Sequence, residues 1–440
     1  MAYPRQSTEI SFFEFTRLLG SLFESPTQPG KNVERFERAA ADFLKVRYAL
    51  SFGSQRAGMY ALLASLSPRG DDEIIVPAYT FFSVPACVVL AGFRPVFVDV
   101  DPVTWNLDPA KIAATISPKT RAIIVTHLNG CPADLETLFR IVKEKNLLLI
   151  EDCAQALGAA YRNKLTGTLG AGCFSFGEGK NLYAMGGGLV STNDDRLAGE
   201  LKKFRSLSRG ANLTELIIKI AKTIAFRTLT LPSVFTVTAF PALYLTSFRN
   251  EKINTDEEHR LAAMPKSSFY SQFSNAQAAL GLTQFENFQK RTQKRIDNAR
   301  WLTDSIQGTP GITLPPAFTD RTHLYLHYAV KINDRENFVR RLIRLGVDAQ
   351  RDYCSFCPEL ADFHTYSQNE DGDGVILRPA GPKDLPSNRD SSPPSASQND
   401  RSVSNAKKLK NQIVYLPNHP SLGKNEILEI GHRVKKVLSP

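Results

Sequence analysis

Short apolar runs alternate with helical patterns between about residues 56 and 200. Four runs have the length and composition of buried strands, at 73–77, 95–100, 121–126 and 147–152. Between them, apolar residues recur with helical spacing at 82–91, 109–116 and 133–145. Because parallel strands are joined through crossover helices, this alternation predicts an α/β fold with a mostly parallel central sheet and helices on both faces. Ligands bind outside the carboxyl ends of such strands, so residues after each strand are the first site candidates.

The second half of the chain predicts a smaller domain. A helical region runs from 272 to 298, a strand is expected at 323–332, and a helix at 335–345. We therefore predict a large domain over 1–285 and a small α+β domain over 286–440.

Two segments interrupt this organisation. Residues 228–248, inside an apolar insertion at 211–249, carry no charge and approach the ~20 residues of a membrane span. Pro232, Pro241 and repeated Thr and Ser argue against a span, so a buried or subunit-facing segment is the preferred interpretation. Contact with a membrane surface is the second. The other segment, 367–405, is rich in Ser, Pro, Asn, Asp and Gly, which predicts a disordered insertion.

Composition narrows the class of protein. The 440 residues are 42% hydrophobic and carry a formal net charge of +10, but the Lys and Arg residues are scattered and no nucleic-acid motif accompanies them. We therefore expect no nucleic-acid partner. Six cysteines indicate a reducing cytosol. Cys354 and Cys357 form a C-x-x-C without the second pair that a zinc site needs, so no metal is expected. The N-terminus lacks a secretory signal pattern. We therefore expect a cytoplasmic location, with membrane association as a further option.

Two charged residues occupy positions suited to chemistry. Asp152 ends a predicted strand, where a carboxylate would face a ligand, although it could equally cap a helix. Lys180 lies between glycines, on a loop expected between two further strands, one before residue 177 and one after residue 188. A lysine that is partly buried can act as an amine nucleophile, whereas the alternative is an exposed loop lysine.

Two further features fit the same edge of the sheet. Ser54-Gln55-Arg56 precedes a predicted helix, and free N–H groups at a helix start bind phosphate; an ordinary capped helix is the alternative. Phe81 follows a strand and could stack on a planar ring, or simply belong to the core. An acid, a lysine, a phosphate cradle and a stacking ring together match the needs of pyridoxal 5'-phosphate (PLP).

The spaced motifs resemble those of the DegT/StrS-type sugar aminotransferases, which have the aspartate-aminotransferase-like type I fold of PLP-dependent transferases. The similarity runs from about residue 30 to 350 and resumes near 406. It rests on Glu151-Asp-Cys-Ala-Gln-Ala156, Ser175-Phe-Gly-Glu-Gly-Lys180-Asn181, Pro77-Ala-Tyr-Thr-Phe81, Phe97-Val-Asp-Val-Asp101 and Gln277-Ala-Ala-Leu-Gly-Leu282.

The resemblance implies a role for each candidate residue. Lys180 would form the Schiff base and shuttle the proton, and Asp152 would pair with the pyridine nitrogen. Gln155 would contact the ring, Phe81 would stack on it and Ser175 would bind the phosphate. The implied activity is amino transfer from a donor such as glutamate to a nucleotide-linked keto-sugar, in a homodimer. A sugar dehydratase of the family would have histidine in place of Lys180. A regulatory or assembly protein of the same fold is the alternative.

The chain departs from the family pattern at two phosphate contacts, and the segments 211–249 and 367–405 have no counterpart in compact members of the family. The family usually has Ser-Gly-Thr where this chain has Ser54-Gln55-Arg56, so backbone amides and the Arg56 side chain are the available phosphate contacts. Many members have Asn-x-Arg where this chain has Tyr270 and Gln272, so a phosphate contact from the partner subunit is expected to be missing or replaced.

Overall fold

The computed structural model describes residues 1–23, 25–248, 261, 264–363 and 403–439. Its central sheet has seven strands, in the spatial order β1 (Tyr48–Phe52), β10 (Gly188–Thr192), β9 (Ala171–Ser175), β6 (Leu148–Asp152), β5 (Thr120–Thr126), β2 (Glu73–Pro77) and β4 (Arg94–Val98). β10 is antiparallel to both of its neighbours, and the pairs from β9 to β4 are parallel. The four strands expected from the sequence are consecutive neighbours here, which confirms the mostly parallel sheet.

Smaller sheets complete the strand set. A three-stranded antiparallel sheet joins β11 (Ile312–Thr313), β13 (Tyr328–Ile332) and β15 (Ile413–Leu416). The short strands β12 (Arg321–Thr322), β7 (Ala160–Tyr161) and β8 (Lys164–Leu165) form another, and β14 (Ser355–Phe356) pairs with β3 (Tyr79–Thr80).

The α-helices of the described chain pack around these sheets. They are α1 (Phe12–Ser21), α2 (Lys31–Leu44), α3 (Gln55–Ala64), α4 (Ser83–Leu90), α5 (Pro109–Ile112), α6 (Leu135–Lys145), α7 (Asp195–Ser206), α8 (Leu213–Leu229), α9 (Pro232–Val237), α10 (Ala239–Thr246), α11 (Asn275–Glu286), α12 (Phe288–Ile306), α13 (Arg335–Arg344), α14 (Ser404–Gln412) and α15 (Lys424–Leu438).

Alternation along β2 shows why helices cover both faces of the central sheet. Ile74 and Val76 belong to the apolar cluster that includes residues of α3, α4 and α7. Ile75, between them, belongs to a second cluster with Leu138 of α6. Because successive strand residues point to opposite faces, an unbroken apolar strand needs a helical layer on each side. The predicted arrangement of helices on both faces is therefore confirmed.

A separate apolar cluster joins β13 and β15 to α12, α13 and α15. Tyr3, from the N-terminal segment, is buried in this cluster and bridges to Val347. Conversely, Phe363 and Ala406 belong to the cluster of the central sheet. The N-terminal segment therefore contributes to the smaller core, and C-terminal residues contribute to the core of the central sheet. The division at 285/286 stays a prediction.

Several element boundaries differ from the sequence prediction. The helical region expected over 272–298 is two helices, because Asn287 has a non-helical conformation between α11 and α12. The strand expected at 323–332 begins only at Tyr328, and the helix expected at 109–116 ends at Ile112. The insertion predicted at 367–405 lies outside the described residues, except that Val403 is buried and α14 begins at Ser404.

The apolar insertion folds into α8, α9 and α10. The expectation that it is buried is wrong within the single chain, since Val237 and Leu245 are 73% and 65% exposed. No helix in the described part of the chain is long and apolar enough to cross a membrane. The subunit-facing and membrane-surface interpretations remain.

Phe36 on α2 is fully buried and lies 5.2 Å from the ring of Phe176 and 5.3 Å from that of Phe273. Phe36→Ala should lower the free energy of unfolding by about 3–5 kcal/mol, because it leaves a cavity among these rings. Urea unfolding followed by circular dichroism measures the loss. Phe139→Ala, at a position 39% exposed, is the control. An equal loss in both variants would contradict the packing described here.

Candidate active site

The eight residues predicted from the sequence line one cavity of about 580 Å³. They are Ser54, Gln55, Arg56, Phe81, Asp152, Gln155, Ser175 and Lys180. This clustering follows from the topology, because Asp152 ends β6, Ser175 ends β9 and Phe81 follows the β2–β3 segment. The carboxyl ends of parallel strands meet at one edge of the sheet, which is where this cavity lies.

Asp152 is buried at the cavity and has polar contacts on several sides. In the sheet it lies opposite Thr126, whose hydroxyl lies 3.4 Å from the carboxylate. The N–H of Ala154 donates to it over 3.1 Å, and the Gln55 side-chain amide donates over 3.3 Å. Desolvation by burial raises the pKa of Asp152, and the Ala154 N–H and the Lys180 charge oppose that rise. The carboxylate is thus held in place while remaining desolvated.

A buried pair fixes the strand end next to Asp152. The imidazole Nδ1 of His127 accepts a hydrogen bond from the N–H of Ala133 over 3.1 Å, so Nε2 carries the proton and faces Glu151 at 3.1 Å. Glu151 also accepts from the N–H groups of Gly167 and Leu169. Because every polar atom of this pair has a partner, the pair braces β5, β6 and the β8–β9 connection beside the cavity.

Lys180 is carried by the loop between β9 and β10. Gly179, Gly186 and Gly187 of that loop have φ of +71°, +92° and +98°, a region that favours glycine. The lysine amine donates a hydrogen bond of 2.8 Å to the hydroxyl of Tyr353. The loop therefore directs the amine across the cavity to a residue that follows α13.

Tyr353 is the main residue that sequence reasoning missed. Its ring lies 5.7 Å from that of Phe81 and 4.2 Å from that of His327. His327 is buried, and desolvation lowers its pKa well below the usual value, so it is neutral beside the Lys180 amine. No motif marks Tyr353, because it lies 173 positions from Lys180 and only the packing of the two cores brings them together.

Gln155 has its orientation set by the backbone. Its side-chain oxygen accepts a hydrogen bond of 2.7 Å from the N–H of Asn129, a residue with φ of +59°. The amide is thus locked against the 128–130 turn while lining the cavity. This contact distinguishes the position from a freely rotating surface glutamine.

The start of α3 forms another part of the cavity wall. The hydroxyl of Ser54 accepts a hydrogen bond of 3.0 Å from the N–H of Ala57, so Ser54 is the N-cap of this helix. The capped-helix interpretation is therefore correct, and it is compatible with anion binding, since a helix supplies no internal acceptors for its first N–H groups. Arg56 lines the same wall and contributes a positive charge.

Replacing the buried carboxylate of Asp152 tests whether its burial lowers the stability of the folded protein. Since the pKa of folded Asp152 is raised, its charged form is disfavoured, and the penalty present above that pKa disappears as the pH falls and the carboxyl becomes protonated. Asp152→Asn should thus raise the thermal midpoint of the cofactor-free protein at pH 8 by about 1–3 °C and by less at pH 5. Calorimetry measures this, and Asp304→Asn, at an exposed position on α12, is the control. A lower midpoint for Asp152→Asn at pH 8 would contradict the pKa direction.

Comparison with known proteins relates this site to a family. The model of the DegT/DnrJ/EryC1/StrS aminotransferase family matches residues 14–225 and 241–373. The pleiotropic regulatory protein of Geobacillus stearothermophilus is 41% identical over 178 residues, which is 40% of this chain and 48% of that protein. The chain thus spans about half the length of this relative. GDP-perosamine synthase of Caulobacter vibrioides is 28% identical over 328 residues, covering 73% of this chain and 76% of that enzyme.

Solved structures support the fold. Helicobacter pylori PseC, an aminotransferase involved in the biosynthesis of pseudoaminic acid, has a TM-score of 0.73 to this chain at 20% identity. The similarity covers 100% of this chain and 99% of that chain. The predicted type I fold of the PLP-dependent transferases is therefore confirmed. Because the family model matches most of the sequence, the chain is a member of the DegT/DnrJ/EryC1/StrS aminotransferase family.

Proposed function

We propose that this protein is a PLP-dependent aminotransferase that moves an amino group from glutamate to a nucleotide-linked keto-sugar. The observation that carries the proposal is the shared cavity of Lys180 and Asp152 at the carboxyl edge of the central sheet. A reactive amine and a buried acid on one cavity are what this cofactor requires, and a purely structural site has no need of both.

The donor set fits the cofactor. The Lys180 amine has no carboxylate partner among the described residues and donates only to a neutral hydroxyl, so it can bond covalently to an aldehyde. The buried Asp152 would hold the ring nitrogen in its protonated form, which would repay the desolvation that raises its pKa. Phe81 and Gln155 would contact the ring, and Ser175 with the first turn of α3 and Arg56 would hold the phosphate.

When bound, the cofactor supplies an electron sink for the substrate carbon that gains or loses a proton. The chain supplies the rest. Lys180, released from its covalent bond, would carry the proton at its Nζ atom, and the hydroxyl of Tyr353 would position that atom. The rings of Phe81 and His327 pack against that of Tyr353, so the hydroxyl that would position the amine is held by aromatic neighbours.

Family relatives support the substrate class. GDP-perosamine synthases of two organisms are among the relatives, which favours a nucleotide-linked sugar over a free one. The formal net charge of +10 is compatible with a diphosphate-bearing substrate. A homodimer and a cytoplasmic location are part of the same proposal, by analogy with the family.

Lys180→Ala should abolish amino transfer, with turnover falling by at least about 10³-fold, because the proton carrier and the covalent anchor are both removed. The assay supplies L-glutamate with a GDP-linked keto-sugar and measures 2-oxoglutarate. Lys164→Ala, at an exposed lysine on β8, is the matched control and should retain full activity. Undiminished turnover of Lys180→Ala would refute the role of this lysine.

Tyr353→Phe should lower turnover about tenfold while changing the KM for the sugar less than about threefold, since it removes one hydrogen bond to the lysine amine and no bulk. The pH profile of turnover should shift as well, whereas a merely structural defect would lower activity equally at every pH. Tyr325→Phe, at a tyrosine outside the cavity, is the control. A wild-type profile for Tyr353→Phe would show that the hydroxyl does not position the amine.

A cofactor-binding regulatory protein of the same fold is the second candidate. It is motivated by the 41% identical relative described as a pleiotropic regulatory protein and by Gln55 and Arg56 in the phosphate segment. Protein that binds PLP yet produces no 2-oxoglutarate with any keto-sugar would favour this candidate. Turnover that depends on Lys180 would exclude it as the main function.

A further inference from the structure

Four helices place apolar side chains on the outside of the protein. We call the exposed sides of α1, α8, α9 and α10, together with the residues that link these helices or directly follow them, the outer apolar surface. Its largest side chains include Phe12 and Phe23, at 79% and 90% exposure, together with Phe13, Leu213, Ile217, Ile218, Ile224, Leu229, Leu231, Val237, Tyr244, Leu245 and Phe248. Because α8 contacts α9, α9 contacts α10, and α1 and α8 share an apolar cluster, these side chains lie on adjacent helices. Large exposed apolar surface of this kind marks an interaction site.

Helix α8 shows the pattern most clearly. Its inward side carries Leu216 and Thr223, which are buried, and these positions lie on one face of the helix. The exposed half carries apolar, alanine and threonine side chains, with Lys222 as its one fully exposed charge. A surface helix normally presents charged and polar residues to water. The outward face of α8 is instead suited to contact with apolar groups of a partner or a membrane.

The four helices are connected through buried contacts. Leu18 of α1 and Leu216 of α8 belong to one apolar cluster, which also contains Tyr183. At the other end, Arg344 of α13 donates to the backbone oxygen of Ser247 and lies over the ring of Phe248. The helices are thus anchored to the folded core on their inner sides and are not a loose extension.

In the described part of the chain, basic side chains outnumber acidic ones on the outer apolar surface. Residues 216–248 contain no Asp or Glu and include Lys219, Lys222 and Arg227. On α1, Arg17 is exposed, whereas Glu14 is buried and paired with Arg291. Glu215, at the start of α8, forms an ion pair with Arg209. The surface therefore offers unbalanced positive charge beside apolar side chains.

We propose that the outer apolar surface docks on a membrane whose headgroups are anionic. Apolar side chains would enter the boundary of headgroups and acyl chains, while the lysine and arginine side chains would contact lipid phosphates. The helices would lie on the membrane, since α8 has 17 residues and α9 and α10 have 6 and 8. Sequence alone pointed to residues 228–248, and the structure adds α1 and α8 to that surface.

Charge favours a membrane over a second copy of this chain. In a twofold interface the same patch faces itself, so the basic side chains of one copy would approach those of the other. Glu215 is already paired with Arg209, and residues 216–248 contain no acidic residue that could balance them. An anionic headgroup layer supplies the opposite charge over the whole surface.

The test is sedimentation of the full-length protein with vesicles. Wild-type protein should bind vesicles of equal parts phosphatidylcholine and phosphatidylglycerol, and bind vesicles of phosphatidylcholine alone more weakly. Raising the salt concentration should weaken the binding to anionic vesicles. Lys222→Glu should reduce partitioning about fivefold or more, and the pair Ile217→Glu with Ile224→Glu should abolish it. Val103→Glu, at a residue 53% exposed outside the surface, should bind like wild type.

Three results would overturn the proposal. The first is that wild-type protein binds neither kind of vesicle. The second is that Lys222→Glu and the double variant both bind as strongly as wild type, and the third is that Val103→Glu loses as much binding as they do. A double variant that lacks vesicle binding but also halves the mass seen by light scattering, while Lys222→Glu binds normally, would assign the surface to contacts between copies instead. Circular dichroism confirms folding of each variant. Because no substrate or cofactor is involved, failure here leaves the proposed amino transfer untouched.

Discussion

The register of β6 between β5 and β9 is the constraint on which the site depends. It sets Asp152 opposite Thr126 on one side and Cys173 on the other. A shift by one residue would turn the Asp152 side chain to the other face of the sheet. The buried His127–Glu151 pair opposes such a shift, because its hydrogen bonds hold β5, β6 and the following connection together. The position of a single carboxylate is thus secured by polar contacts that have no chemical role of their own.

The burial of Asp152 lowers the stability of the folded protein, and the proposed function gives a reason for this loss. Asp152 is desolvated without a full ionic partner, and its pKa is raised as a result. Among the described residues, the amine of Lys180 similarly has a single hydrogen-bond partner, the hydroxyl of Tyr353. Groups held in this state bind a complementary ligand more strongly than they stabilise the empty protein. The apolar layers on both faces of the sheet and the aromatic cluster around Phe36 stabilise the fold and offset this loss.

Much of the site could be predicted from the sequence because its residues follow strands within a short stretch of chain. Asp152 and Phe81 are marked by the strand pattern and Lys180 by its glycines, whereas Ser175 and Gln155 were expected only from the resemblance to the family. Tyr353 could not be found in this way, because its place is set by long-range packing. The break at Asn287 escaped notice because the apolar pattern continues across it. The apolar insertion was expected to be buried, but apolar composition alone does not say what covers a surface.

The outer apolar surface and the cavity share a structural link. Leu216 of α8 packs in the same cluster as Tyr183 and Met185, which belong to the loop that carries Lys180. A partner bound on this surface would therefore rest on the same packed layer as the lysine loop. This contact gives the insertion a defined place in the fold.

Covalent trapping of PLP tests the central claim most directly. The protein would be incubated with PLP, reduced with borohydride and digested, and the labelled peptides identified by mass spectrometry. We expect one stoichiometric adduct on Lys180, since this lysine lines the same cavity as Asp152 and the α3 N-terminus. No adduct, or adducts spread over exposed lysines with Lys180 unlabelled, would contradict it.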